Sequence, residues 1–481
     1  MFFDNPTENK KRERREMCGI FGIVSNENVA PKITIGLYDL QHRGEQAVGV
    51  IVSDRDELHD HKEEGLVTEV FNERNRENLF KKLSGRFGIG HTLYSTIGKG
   101  GEEKQPKTFQ PLIGDFHGKP FALSHNGNLI RLDELRREAE KKGYLFQSKV
   151  SDTEVIVALI STSSEKDFKA ALLKVLPRLE GAFALVILFR DKVFGVRDRY
   201  GIRPLCLGRD GTSFILASEE CAFNTIGASF IREIDPGEFI ELGENGLEDS
   251  FIWAEKPWLR LCIFEHIYFA RPDSRLAGRR VNSYRYDAGE TVAREHPVAA
   301  DIVCSVPESG EIYNYGVSWA LSIPVRKAIF RNRYFTRRTF MEPRETNRRE
   351  LQKRKFYILR EVVHNKKVVI TEDSIIRANV SPVVVAMLRE AGATEVHERV
   401  GSSPLRWPCF LGIDIASRVE LPAAGLTEEE VGRKIIKADS LGYLSLEGMI
   451  KASGLPKEKL CLGCFIGLEG YPIEPPPGFL S

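Results

Sequence analysis

The chain has 481 residues, enough for two or three domains with cores of their own. Its 69 Lys and Arg against 68 Asp and Glu leave a net charge of +1, so no global field favours nucleic acid or a membrane surface. No apolar run approaches the roughly 18–20 residues that span a bilayer, and any charged ligand must be met by a local site.

Residues 1–17, MFFDNPTENKKRERREM, are polar and basic, with no apolar stretch of the secretory type, so a cytoplasmic address is expected. From Cys18 to about Leu242 the pattern is strand-rich, with CGIFGIV, AVGVIVS, FALSHNGNLI, FALVILF and FILAS broken by Gly and Asp turns. Helical spacing predicts a helix in LIRLDELRREAEKKG and another in SDTEVIVALISTS, where the Ser/Asp start suits an N-cap. Strands and helices around one core indicate an α+β layered domain.

After EIDPGEFIELGENG, strand candidates ADIVCSV and KKVVITED alternate with helical patterns near Tyr315–Ala320 and in SPVVVAMLREAGA, as in βαβ units on a parallel sheet. The basic stretch Arg331–Arg360 contains little that is apolar and reads either as a solvated surface segment or as a functional lid. The chain closes on the Pro-rich YPIEPPPGFLS.

Eight cysteines stand at 18, 206, 221, 262, 304, 409, 461 and 464. In a cytosolic chain this scatter suits buried thiols, metal ligands or catalytic groups better than disulfides. Cys461 and Cys464 have ligand spacing, which alone does not distinguish zinc from an iron–sulfur cluster. Cys18 heads the first strand. A cysteine with a liberated α-amine offers a thiolate and a proton shuttle of pKa near 8 in one residue, and it needs an oxyanion hole. His125-Asn126-Gly127-Asn128 reads either as such a hole, carried on a turn, or as an ordinary hairpin turn.

Taken together, MCGIFGIV, LYDLQHRGEQAVG, LSHNGNLI, SDTEV and EGAFALVIL resemble the glutaminase domain of glutamine phosphoribosylpyrophosphate amidotransferase, the amidophosphoribosyltransferase family of purine synthesis. The resemblance continues through VRDRYGIRPLCLGR, SEECAF, EIDPGE, FEHIYFARPDS, VPESG and ADSLGYLS. It implies an N-terminal-nucleophile αββα glutaminase sandwich over 18–250 and a type I phosphoribosyltransferase domain with a cluster-binding segment over 251–481. Residues 1–17 would be a propeptide removed to free Cys18, or an upstream extension with Met17 as the true first residue, itself removed after translation.

The resemblance makes Cys18 the nucleophile, places Asn126 and Gly127 in the oxyanion hole, sets Asp152 on the amine of glutamine and puts Arg43 near the glutamine pocket. In the second half, Glu308, Ser309 and Gly310 would meet pyrophosphate, and Lys355 would be the lysine of the catalytic loop. Glu372, Asp373 and Ser374 would meet ribose, phosphate or a magnesium ion. Cys262, Cys409, Cys461 and Cys464 would hold a [4Fe–4S] cluster, leaving Cys206, Cys221 and Cys304 as core residues. Glutamine and phosphoribosylpyrophosphate are the implied substrates, purine nucleotides the implied effectors, and a homo-oligomer the implied assembly.

The chain departs from the family pattern in two places. In Gly90-His91-Thr92-Leu93-Tyr94-Ser95-Thr96, Leu93 stands where the family has an arginine for the carboxylate of glutamine. An unpaired, desolvated carboxylate costs about 2–5 kcal/mol, or roughly 30- to 3,000-fold in capture. In the phosphate loop, Ala378, Asn379 and Val380 replace Gly-Thr-Thr, with Ser381-Pro382 left to cap and open the next helix. There is also an apparent insertion near Thr336-Arg337-Arg338. Two readings follow: a working enzyme with both substrate sites weakened, or an impaired paralogue serving as a structural or regulatory subunit beside an intact enzyme.

Overall fold

The computed structural model describes residues 18–55, 57–94, 109–148, 151–332 and 355–479. The first half packs two antiparallel sheets face to face. One has seven strands in the spatial order Ser229–Glu233, Cys206–Asp210, Ser213–Ala217, Gly19–Val24, Phe87–Leu93, Ala47–Asp54 and Glu57–Glu64. The other has six: Gly246–Ile252, Glu238–Gly243, Lys192–Arg197, Glu180–Phe189, Lys119–Ile130 and Leu112–Phe116.

The period-two pattern of the first strand divides its side chains between two cores. Ile20 and Val24 face the second sheet, packing with Ile89, Val186, Leu216 and Ile240. Phe21 and Ile23 face outward and are covered by Ile33 and Leu37 of the helix Ala30–Asp39. The outer face of the six-stranded sheet is covered by the helices Asp152–Ser161 and Phe168–Val175, through Val155, Leu159, Phe168 and Leu172. The result is the four-layer αββα sandwich expected from the sequence. Ser151 caps its helix as predicted, accepting from the Glu154 N–H at 3.2 Å.

One local expectation is overturned. His125-Asn126-Gly127-Asn128 is not a turn but the middle of the twelve-residue strand Lys119–Ile130, with Asn126 opposite Ala184 and Gly127 opposite Phe183. Twelve residues of near-continuous burial outweigh the local Asn-Gly turn preference.

The second half is built on a parallel sheet in the order Ile302–Ser305, Lys367–Glu372, Glu395–Val400 and Ser440–Tyr443. Val303 and Val369 face the helices Val281–Glu295 and Glu311–Leu321. Cys304, Ile370, Val396 and Val400 face Val384 and Leu388 of the helix Ser381–Glu390. Burial of both faces is what the apolar runs of a parallel sheet require. Within the basic stretch, Ile329–Arg331 pairs with Phe356–Ile358; Thr336-Arg337-Arg338 lies outside the described residues, as do residues 1–17. Among the described residues no helix is long and apolar enough to cross a membrane.

Candidate active sites

Cys18 is fully buried and packs against Ala47, Leu93 and Phe109. Its nitrogen donates to Asn126 Oδ1 at 3.2 Å, while Asn126 Nδ2, also buried, has no hydrogen-bond partner among the described residues. Gly127 has φ of +151°, and a Cβ there would meet the Ala182 carbonyl oxygen at 1.9 Å, so only glycine fits. An orphaned amide donor beside a cysteine nitrogen, followed by an obligatory glycine, is a geometry that can receive an oxyanion.

Asp152 is buried beneath this strand, accepting from Leu129 N–H at 3.0 Å and Thr153 N–H at 2.7 Å. Burial holds His125 below the ordinary imidazole range and His91 down to about 3, so both rings are neutral hydrogen-bonding groups here.

Arg43 is 1% exposed. Its Nε donates to the Cys18 carbonyl at 3.2 Å, Nη1 pairs with Glu219, and Nη2 lies 3.0 Å from both carboxylate oxygens of Glu265. This guanidinium is spent on protein groups and holds the backbone carbonyl of Cys18. His42, Glu219 and Cys221 lie close enough to share a metal ion, but Glu219 is already engaged by Arg43, Ser274 Oγ and the Arg271 N–H.

In the second half, Glu372 and Asp373 end the strand Lys367–Glu372 side by side and both are buried. Burial, reinforced by its acidic neighbours Asp373 and Glu398, pushes Glu372 well above the carboxylate range; burial raises Asp373 against hydrogen bonds from Ser309 and Ser374. Ser374 Oγ donates to Asp373 Oδ2 at 2.6 Å, and Glu372 Oε2 is buried without a hydrogen-bond partner among the described residues. Two crowded acids with an orphan oxygen form a site that a divalent cation or a pair of hydroxyls would satisfy. The loop 306–310 is tied to the same strand end, Thr371 Oγ1 donating to the Gly310 carbonyl at 2.9 Å. Lys355 is lowered by burial and by Arg331, with Glu372 and Glu308 acting in the opposite sense. The structure therefore gathers Glu308, Ser309, Gly310, Lys355, Glu372, Asp373 and Ser374 into one place.

The phosphate-loop departures have structural counterparts. Ala378 has φ of +49°, a left-handed conformation costly for any residue with a Cβ. Ser381 is not the cap expected from the sequence: it is the first residue of the helix, and its hydroxyl donates to buried Glu398 Oε1 at 2.7 Å. Arg377 is drawn to Glu420 at 2.6 Å and to the Asp414 carbonyl at 2.9 Å.

The four cysteines predicted as ligands converge. Cys262 and Cys461 are register partners in a short parallel pair, and Cys409 and Cys464 lie within electrostatic reach of them. Burial pushes the Cys262 thiol up to about 12 and raises Cys461 and Cys464 too. No three of these four described thiols lie within 4.8 Å of one another, whereas a single tetrahedral zinc at 2.3 Å from each sulfur would bring them to about 3.8 Å.

Comparison with known proteins decides the family. A family model described as a glutamine amidotransferase domain matches residues 102–225. The amidophosphoribosyltransferase of Methanocaldococcus jannaschii is 42% identical over 477 residues, covering 95% of this chain and 98% of that one. That of Bacillus subtilis is 40% identical over 95% of this chain and 94% of its own length. The solved structure of the B. subtilis glutamine phosphoribosylpyrophosphate amidotransferase complexed with ADP and GMP superposes with a TM-score of 0.87, at 37% identity, over 96% of this chain and 99% of that one. The chain belongs to the amidophosphoribosyltransferase family. It is an enzyme of glutamine amidotransferase and phosphoribosyltransferase class, with the N-terminal-nucleophile and phosphoribosyltransferase folds of that family.

Several residues of an amidophosphoribosyltransferase site escape a reading of the sequence alone. Glu219 and Glu265, which neutralise Arg43, lie far from it in sequence and carry no local signal. Tyr268, about half exposed, stands within electrostatic reach of Tyr94, Glu45, Glu372 and Asp373. Leu93 packs against Cys18, and the adjacent Tyr94 and the acid pair both lie within electrostatic reach of Tyr268.

Proposed function

We propose that residues 18–250 hydrolyse glutamine and residues 251–481 place the ammonia on phosphoribosylpyrophosphate, after removal of residues 1–17. The thiolate of Cys18 attacks the side-chain amide carbon, and the oxyanion is received by Asn126 Nδ2 and the Gly127 N–H. The liberated α-amine, beside Asn126 Oδ1, carries the proton to the departing ammonia, and water then releases glutamate. Asp152 holds the substrate amine; Arg43 holds the carbonyl of Cys18. Glu308, Ser309 and Gly310 face pyrophosphate, Lys355 stabilises its departure, and Glu372, Asp373 and Ser374 hold ribose and phosphate. The acid pair would also hold a magnesium ion, which supplies charge neutralisation to the pyrophosphate.

Asn126 Nδ2 beside Cys18, without a hydrogen-bond partner among the described residues, carries this reading. It favours a working enzyme over an impaired subunit, because a buried donor without a partner costs stability and is kept where a reaction uses it. Leu93 and Ala378 weaken capture of glutamine and of the 5′-phosphate respectively. Cys262, Cys409, Cys461 and Cys464 would hold a [4Fe–4S] cluster, the thiols being set wider than a single zinc site allows. A homo-oligomer in the cytoplasm, subject to purine nucleotides, completes the proposal; the B. subtilis relative is complexed with two of them, ADP and GMP.

The test is Cys18→Ala in protein purified anaerobically. Loss of glutamine hydrolysis by at least about a thousand-fold, with ammonia-dependent phosphoribosylamine formation retained, is expected. Hydrolysis surviving the substitution, or an intact mass showing that the active chain still begins at Met1, would overturn it.

A further inference from the structure

A line of buried ion pairs, completed by the backbone of Leu411, runs from Cys18 to Cys409, one of the four cysteines. Arg43 Nε holds the Cys18 carbonyl at 3.2 Å, and Arg43 Nη2 lies 3.0 Å from each oxygen of Glu265. Arg203 Nη1 reaches the same Glu265 carboxylate at 3.2 Å, and Arg203 Nη2 donates to the Leu411 carbonyl at 2.5 Å. Leu411 in turn donates its N–H to Cys409 Sγ at 3.3 Å. Arg43, Glu265 and Arg203 are each 0–1% exposed. Gly412 leaves the room the guanidinium needs, since a Cβ there would meet Arg203 Nη2 at 2.6 Å. Cys262 and Cys409 are among the groups that stabilise the charged form of Arg203.

One carboxylate therefore serves two guanidiniums. A buried charge is tolerated only while its partners stay in place, so displacement of Arg203 leaves Glu265 to re-form around Arg43, and Arg43 holds the backbone of Cys18. The loop carrying Cys409 fixes Arg203 through the Leu411 carbonyl. We propose that Arg203 and Glu265 are positioning residues that couple the four-cysteine centre to the Cys18 nucleophile. The proposal rests on the functional reading above, in which Cys18 attacks glutamine and the four thiols hold a cluster.

The experiment uses the full mature chain, isolated anaerobically with its iron content measured, as wild type, Glu265→Gln, Arg203→Lys, Arg203→Gln and the double variant Glu265→Gln/Arg203→Gln. Three quantities are read: the alkylation rate of Cys18 with iodoacetamide, kcat and KM for glutamine hydrolysis, and the midpoint potential of the centre. Glu265→Gln and Arg203→Gln should each lower kcat and the alkylation rate by about ten- to a hundred-fold, with KM nearly unchanged. Arg203→Gln should also move the midpoint to more negative potential, because a cation beside the thiolates is lost. Arg203→Lys keeps that charge but loses the fork, so the midpoint should hold while kcat falls.

The double variant should lose little more than either single one, since both cut one line. Wild-type alkylation and kcat in Glu265→Gln and Arg203→Lys at full iron content would overturn the coupling, as would losses that multiply in the double variant. Arg203→Lys decides the matter where Arg203→Gln does not fold. The underlying reading fails separately: a hydrolytically active Cys18→Ala chain, or a wild type free of iron, removes one end of the line regardless of how the variants behave.

Discussion

Around Cys18, the groups that matter come from strands of two packed sheets and from a helix start on the outer face of one of them, whereas around Glu372 and Asp373 most come from loops at the end of a parallel sheet. In the first site a single residue, Leu93, differs in kind from the family pattern, and it differs by becoming part of the apolar wall. In the second, three consecutive loop residues differ, one of them in left-handed backbone. Positions set by sheet register tolerate few alternatives, because a neighbour on each side fixes them. Loop positions drift at lower cost, and with them the substrate contacts they carry.

The largest expected effect tests the rigid side. Asn126→Ala removes both the partner of the Cys18 nitrogen and the orphan donor, so kcat for glutamine hydrolysis should fall about 100- to 1,000-fold. The ammonia-dependent reaction in the second half should be unaffected. A parallel loss of the ammonia-dependent rate would break the separation of the two sites.

Glu398 gives the next test, on the other side. It lies on the face of the parallel sheet covered by the helix Ser381–Glu390, near Glu372 and Tyr443, with Ser381 as its hydrogen-bonded partner, and burial raises its pKa from 4.5 to about 7. A carboxyl whose folded value is raised binds protons in the native state that the unfolded chain has released. Stability therefore falls as pH rises from about 4.5 to about 7 and stays lower above it. Glu398→Gln, which still accepts from Ser381, should stabilise this half by about 3 kcal/mol at pH 8. By pH 4.5 the difference should be close to zero in denaturant melts. An equal gain at both pH values would mean that Glu398 is not held neutral.

Leu93→Arg sharpens the comparison directly. A cation restored beside Cys18 should lower KM for glutamine by roughly 30-fold with kcat little changed. An unchanged KM would show that another residue already meets the carboxylate.

How much of the molecule is legible in its sequence follows the same division. The capped helix at Ser151 and the parallel sheet can be read from caps and periodicity, while the αββα sandwich and the four converging cysteines follow from the family resemblance that motifs of several residues carry. FALSHNGNLI reads as a strand run, but His125-Asn126-Gly127-Asn128 within it reads as a turn because the Asn-Gly dipeptide preference is local and the strand's burial is not. Ser381 reads as a cap because its partner, Glu398, sits on a different strand. Glu219, Glu265 and Arg203 stand in motifs that carry the resemblance, but their pairing is not visible there: folding alone brings Glu219 and Glu265 to Arg43 and Arg203 to Glu265. Long-range ion pairs leave no periodic trace.

The smallest effect isolates the cost of loop drift. Ala378 holds φ of +49° in a loop whose neighbours pack into the core beneath the helix Ser381–Glu390. Replacing it with glycine removes a Cβ from left-handed backbone, worth about 1–2 kcal/mol, against which the unfolded chain gains somewhat less in freedom. Ala378→Gly should therefore raise the unfolding free energy of this half slightly, by about 1 kcal/mol or less, and with it the denaturant midpoint, while allowing a phosphate closer to the backbone. The two effects are separable, since stability is measured without ligand and KM for phosphoribosylpyrophosphate with it. If KM falls and the midpoint does not move, the loop's departure bears on the substrate alone. If the midpoint rises and KM does not fall, the strain at Ala378 is a fold-level cost, and the phosphate is held by the helix start that follows.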